Sequence, residues 1–358
     1  MRFTALASID IVSLILSTTV GIAMAKAGYG YWALVAMNIS LPLIATVGFW
    51  MTASWVPGMP RRRAGIRSMM RFGGTMTLNG LVVYIASNFE KVLLGRYWGA
   101  EAIGIYGRAY QLIRIPTDNL NSAVGEVAFA ALSRLQDQPE RLKRYFLMGY
   151  SLVVAMTLPI TIACALFADD VIFVLLGPQW NGAVEIFRLL APTILVFAIA
   201  NPLGWLLNSL GLVERGLKIA LVTAPFMIAG YVIGLPYGPI GVAIAYSVMM
   251  TLTLDPIVAW GVHGTVISVP DILRVLCLPL GASIVAVGVA FGVRFFYGAF
   301  LSPLPRLLLE GTVLLVSYVA VLLLAAGRNS VYMEILRELK WPRASRQILD
   351  EDSPAVGP

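Results

Sequence analysis

Ten runs of about twenty apolar residues dominate this chain, at residues 4–25, 31–55, 71–98, 102–132, 145–168, 184–210, 217–235, 240–262, 275–296 and 305–326. A helix needs about 20 such residues to cross the hydrocarbon core of a bilayer. A chain with this pattern has few folds open to it, because every backbone polar group inside lipid must be bonded internally. Transmembrane barrel strands are about ten residues long and alternate in polarity. These runs are longer and uniformly apolar, which predicts helices. The first run is read as a mature helix and not a signal peptide, since Asp10 interrupts it and Arg2 is its only basic flank. The expected fold class is therefore all-α, a polytopic membrane bundle of ten helices.

Composition closes off the alternatives. Of 358 residues, 59% are hydrophobic and 13% are charged, against about 25% charged in a soluble domain. A soluble enzyme, a disordered chain and a secreted disulfide scaffold are all excluded. Cys164 and Cys277 lie far apart in apolar runs and imply no disulfide framework. His263 has no partner spacing for zinc or a catalytic triad.

The net charge of +7 reads as basic loops on the cytoplasmic side and not as a nucleic-acid surface. With basic residues within two positions of a run end counted on the adjoining side, alternating the ten runs across a bilayer places 18 of the 26 on one side, four on the other and four deep inside runs. The crowded side holds Arg2, then Arg61, Arg62, Arg63, Arg67 and Arg71, then Arg134, Arg141, Lys143 and Arg144, then Arg215, Lys218 and Arg274, and finally Arg328, Arg337, Lys340, Arg343 and Arg346. The sparse side holds Lys26, Arg96, Arg294 and Arg306. Both termini are predicted to be cytoplasmic. The Arg61-Arg62-Arg63 loop reads first as a topology signal; binding of anionic headgroups or polyprenyl phosphate is the other reading.

Three predicted hairpins share an aromatic-glycine turn followed by small residues: Gly28-Tyr29-Gly30-Tyr31, Tyr97-Trp98-Gly99-Ala100 and Tyr237-Gly238-Pro239. Such turns suit an interfacial belt and close helix approach, with or without an internal repeat. Prolines 42, 159, 192, 202, 225 and 279 predict kinks or breaks.

No phosphate loop, zinc motif, nucleophile elbow or kinase signature is present, so neither a catalytic residue, a metal site nor a cofactor is expected. The informative residues are charges inside apolar runs, which are costly in lipid and usually face water or one another. The densest set spans 71–98 and 102–132: Asn88, Glu90, Lys91, Arg96, Arg108, Arg114, Asp118, Asn119, Asn121 and Glu126. Arg114 and Asp118, four apart, can pair on one helix face. Arg108 and Arg114, six apart, do not stack directly. One reading is a cationic cavity wall for an anionic ligand; the other is interhelical ion pairs with snorkelling ends. Asp10 and Asp255 are isolated carboxylates that suit proton or sodium coupling, although Asp255, preceding Pro256, equally suits a kinked backbone.

Gly99-Ala100-Glu101-Ala102-Ile103-Gly104-Ile105-Tyr106-Gly107-Arg108-Ala109-Tyr110 resembles a signature of bacterial polysaccharide flippases. The preceding Asn88-Phe89-Glu90-Lys91 is similar, as is Ala131-Leu132-Ser133-Arg134-Leu135-Gln136-Asp137, although Ala130 stands where proline is usual. Gly177-Pro178-Gln179-Trp180 and Gly28-Tyr29-Gly30-Tyr31-Trp32 also resemble family motifs. The resemblance reaches to about residue 330.

It implies the multidrug/oligosaccharidyl-lipid/polysaccharide exporter superfamily, whose MATE-like fold has two six-helix lobes. Members are thought to flip undecaprenyl-diphosphate-linked oligosaccharide across the inner membrane by alternating access, for polysaccharide or lipopolysaccharide biosynthesis. By motif position, residues 1–60 resemble a two-helix remnant of the first lobe, 61–72 a basic loop, 73–263 the second lobe, 274–327 an extra helix pair and 328–358 a cytoplasmic tail. The chain is thus expected to lack roughly four N-terminal helices. Arg108 and Arg114, with Lys91, would bind the diphosphate or an acidic sugar. Membrane lipids and polysaccharide polymerase or glycosyltransferase machinery are the implied partners, and no nucleic acid is. The rival expectations are a cation-coupled multidrug antiporter, with Asp10 or Asp255 essential, and a truncated fragment without transport.

Overall fold

The structure, a computed structural model, describes residues 3–53, 66–297 and 301–325. Arg2, the Arg61-Arg62-Arg63 run, the 328–358 tail and the side chain of Glu126 lie outside the described residues. The chain divides into two compact units after Ile66.

The first unit is a hairpin of α1 (Phe3–Lys26) and α2 (Trp32–Ala53). Small residues bring its helices together: a methyl added at Gly48 would lie 2.8 Å from Ile9, and Ser13 and Ser17 are buried. Asp10 is exposed on α1.

The second unit runs α3 (Arg67–Ala86), α4 (Phe89–Tyr97), α5 (Gly99–Arg134), α6 (Pro139–Leu166), α7 (Ala168–Leu176), α8 (Ala183–Leu190), α9 (Pro192–Ser209), α10 (Val213–Gly234), α11 (Gly238–Val262), α12 (Val269–Tyr297) and α13 (Pro303–Ala325). Each apolar run is one helix or a consecutive pair. By length and composition seven stretches could cross a membrane, and one of them, Val213–Val262, holds both α10 and α11. α3 and α5 fall outside that set, and α4, at nine residues, is too short for it. At 36 residues, α5 is about 54 Å long at 1.5 Å per residue, so it exceeds the hydrocarbon core.

Three local departures from expectation have clear causes. The 71–98 run breaks at Ser87-Asn88, where Ser87 Oγ donates to the Val83 carbonyl at 2.7 Å and Asn88 Nδ2 to the Tyr84 carbonyl at 2.8 Å; such bonds compete with helix continuation. The 184–210 run breaks at Ala191, because Pro192 has no N–H to donate. The third lies between two apolar runs: residues 169–183 fold into most of α7 and a 3-10 turn, Pro178–Trp180. Asp169 and Asp170 in the first turn of α7 favour it through the helix dipole. The remaining prolines named above lie inside continuous helices.

Contacts sort the helix ends into two groups. At one end Arg71 pairs with Glu214, Lys143 Nζ lies 2.7 Å from Asp271, and Arg215 donates to the His263 carbonyl at 2.5 Å. At the other, Trp98 Nε1 donates to the Leu235 carbonyl at 2.9 Å and the Trp98 ring packs on Gly238, whose φ is +72°.

Two packing details carry measurable consequences. α10 and α11 cross where Gly234 and Gly241 meet; a methyl on either would overlap the other's carbonyl. Gly241→Ala should therefore cost about 1–3 kcal/mol, as overpacking does, seen as a lower unfolding midpoint in detergent. In α6, Pro159 leaves the Ala155 carbonyl without its helical donor. Tyr318 Oη of α13 donates to that carbonyl at 2.9 Å, which fastens α13 to α6. Tyr318→Phe leaves the carbonyl buried without that bond and should cost about 1–3 kcal/mol in thermal or denaturant unfolding.

Outward faces of the last helices are apolar, with Ile284 74% and Leu324 85% exposed. Faces of this extent suit lipid contact and not water.

Candidate functional site

Five helices of the second unit, α3, α5, α9, α10 and α11, enclose a cavity of about 380 Å³. Its polar wall includes Asn79, Ser87, Arg114, Asn201, Thr223 and Tyr246; Phe197, Leu203, Met227 and Met250 supply apolar surface. The volume falls within the usual range for ligand pockets. Asn79 Oδ1 is buried with no hydrogen-bond partner.

Arg114 is the cavity's cation. Its Nη2 lies 2.9 Å from Asp118 Oδ1, and its guanidinium stands 5.2 Å from the Phe197 ring centroid. The pairing follows from the four-residue spacing on α5. Arg114 therefore sits on a partly neutralised wall and keeps further donors for a ligand, since a guanidinium has five.

Lys91 is next to this cavity without lining it. Its ammonium donates to Asn88 Oδ1 at 2.7 Å and stands 5.4 Å from the centroid of Tyr110. Tyr110 leads to the cavity through Tyr246, whose hydroxyl is 3.4 Å from its own. Arg108 goes elsewhere. It donates to Gln111 Oε1 at 3.0 Å and lies 5.8 Å from the Trp180 ring. The six-residue spacing puts it on a different face of α5 from Arg114. Asp255 is exposed on α11, beside Pro256 and Ile257, which line an apolar groove of about 490 Å³ with Phe226 and Trp260; this groove adjoins the cavity and shares Ile257 with it. Of the five candidates, then, only Arg114 lines the cavity.

Sequence reading passed over Asn79 and Asn201. Each is a single amide in an apolar run, and that rarity was the available signal. It also missed a second charged cluster, built from α7, α8, α12 and α13. Arg188 Nη2 lies 2.5 Å from Asp169, which is 3.9 Å from Arg294. Arg294 is 3.6 Å from Glu310, and Arg306 makes a bidentate contact with Asp170. Three cations and three carboxylates compensate one another. This explains why Arg294 and Arg306 can lie on the side expected to be poor in basic residues.

A sequence profile of the polysaccharide biosynthesis protein family matches residues 1–185. The lipopolysaccharide biosynthesis protein WzxC of Escherichia coli is 26% identical over 55% of this chain and 40% of its own length. The teichuronic acid biosynthesis protein TuaB of Bacillus subtilis is 28% identical over 59% of this chain and 44% of its own. The chain thus spans less than half the length of these relatives. Among solved structures, the lipid II flippase MurJ in its inward closed conformation superposes with a TM-score of 0.62 over 88% of this chain and 65% of that one, at 13% identity. That likeness concerns the fold. The chain is a multi-pass helical membrane protein with the fold of this flippase, and it belongs to the polysaccharide biosynthesis protein family.

Proposed function

We propose that this chain moves an undecaprenyl-diphosphate-linked oligosaccharide across the bacterial inner membrane by alternating access. The observation that carries the reading is the Arg114 cavity: one guanidinium with unused donors, set among amides and aromatic rings inside a membrane bundle. Diphosphate oxygens take charge-assisted, often bidentate bonds from Arg, and amides suit sugar hydroxyls. The relatives named for lipopolysaccharide and teichuronic acid biosynthesis favour a glycan cargo.

Arg114 is the primary headgroup contact. Lys91 adds positive potential through Tyr110, and Arg108 is reached only by a ligand that extends toward Trp180. Coupling through Asp10 or Asp255 requires each to gain a partner in another conformation, since both are exposed here. The excess of basic residues on one side supports a cytoplasmic position for both termini. Polymerase or glycosyltransferase machinery would supply and consume the glycan.

Thermal unfolding of the chain in nanodiscs tests the binding step. At about a hundredfold excess over Kd, undecaprenyl diphosphate should stabilise it by about 2.7 kcal/mol, and uncharged undecaprenol should not. Equal stabilisation by both lipids would remove the diphosphate from the reading.

A further inference from the structure

Among the described residues of the second unit three carboxylates are buried, each 1% exposed: Asp170, Glu310 and Glu90. Asp170 has Arg306, and Glu310 has Arg294 at 3.6 Å. Glu90 has nothing comparable. Neither of its oxygens bonds another residue; its own backbone N–H contacts it, and its neighbour Lys91 bonds Asn88 and acts on it only through its charge.

What surrounds Glu90 is a set of tyrosines from the helices packed on α4. Tyr106 and Tyr110 of α5 and Tyr231 of α10 lie within electrostatic reach of its carboxylate. Tyr246 of α11 completes the set. Rings 106 and 110 stack at 6.2 Å, 110 and 246 meet edge-on at 5.9 Å, and 231 and 246 stack at 5.8 Å. The hydroxyls of Tyr106 and Tyr231 are buried and unpartnered too. From α3 no charge reaches the site: Arg67 and Tyr84 are exposed, and Arg71 pairs with Glu214. Arg96 on α4 is exposed as well. Arg114 is engaged by Asp118.

An ionised carboxylate buried without a paired cation or a bonded donor from another residue is strongly disfavoured, whereas a neutral carboxylic acid is tolerated far better. A bound metal ion would also neutralise it, but no group of three or more His, Cys, Asp or Glu side chains suited to one exists among the described residues. A proton needs no further ligand. We propose that Glu90 is a proton-binding site, occupied in the packing seen here, and that releasing the proton requires the contact of α4 with α5 and α10 to loosen so that water reaches the carboxylate. Tyr246 belongs both to this cluster and to the wall of the Arg114 cavity. Proton release and ligand binding are therefore linked, and linkage is reciprocal. That second half rests on the transport reading; the protonation does not.

Infrared difference spectroscopy of the full chain in nanodiscs separates the two. At neutral pH the wild type should show the carbonyl stretch of a neutral carboxylic acid that Glu90→Gln lacks, equally in sodium and in potassium buffer. Labelling glutamate with carbon-13 should shift the same band, and Glu310→Gln, which removes the other buried glutamate among the described residues, should keep it, which provides the assignment even if Glu90→Gln folds poorly. Hydrogen exchange, corrected for its intrinsic pH dependence, should quicken at least tenfold in α4 and α10 at alkaline pH in the wild type and stay slow in Glu90→Gln. A neutral-acid band that is absent, is insensitive to glutamate labelling, or appears only when sodium is removed would overturn the protonation. A labelled band without faster alkaline exchange would overturn the proposed loosening. A proton site confirmed in a chain that shows no affinity for undecaprenyl diphosphate would count against the transport reading alone.

Discussion

Asp170→Asn should lower the unfolding free energy of the detergent-purified chain by about 3 kcal/mol, the cost of stranding one partner of a buried ion pair. Asp170 is buried and receives Arg306 through both Nε, at 3.0 and 3.1 Å, and Nη2. The amide keeps the shape but removes the charge, and it can accept at one atom only. The effect should extend to neighbours, because Asp169, Arg188, Arg294 and Glu310 belong to the same compensated set. The double variant Asp170→Asn with Arg306→Gln should be less destabilised than the two single changes added together, since coupled partners are not additive. Tryptophan fluorescence during heating reads both. Strict additivity would show that the pair contributes nothing as a pair.

Arg114→Ala should reduce affinity for a polyprenyl-diphosphate ligand by about ten- to a hundredfold, since bonds to charged groups contribute about 1.5–3 kcal/mol. The loss has two sources. The guanidinium no longer meets the phosphate oxygens, and Asp118 is left as an uncompensated carboxylate beside the cavity. Arg114→Lys keeps the charge but not the planar fork, so it should fall between the two. Asp118→Asn should act in the opposite direction and bind the anionic lipid at least as tightly as wild type. Titration of nanodisc-held protein with undecaprenyl diphosphate measures all three variants.

The membrane class and the placement of the helices were legible because a bilayer imposes one length and one polarity on each crossing. Helix breaks were less so. Ser87-Asn88 interrupts an apolar run through side-chain bonds that hydropathy does not register. α7, nine residues long, is too short to announce itself as a span. At the candidate site, spacing on a single helix was readable: Arg114 with Asp118, and Arg108 on another face. What joined helices far apart in sequence was not. Asn79 and Asn201 reach the Arg114 cavity from α3 and α9. The tyrosines around Glu90 come from α5, α10 and α11, and singly they read as ordinary interfacial or core aromatics. Arg306 and Asp170, 136 residues apart, read as loop charges on the sparse side until α13 brings them together.

The most direct test is flipping itself. Proteoliposomes holding the full chain and a polyprenyl-diphosphate-linked oligosaccharide should expose the glycan of the inner leaflet to an external, membrane-impermeant lectin. Arg114→Ala, reconstituted to the same density, should slow that exposure at least tenfold. Equal rates with and without the guanidinium would contradict the claim that this cavity carries the diphosphate.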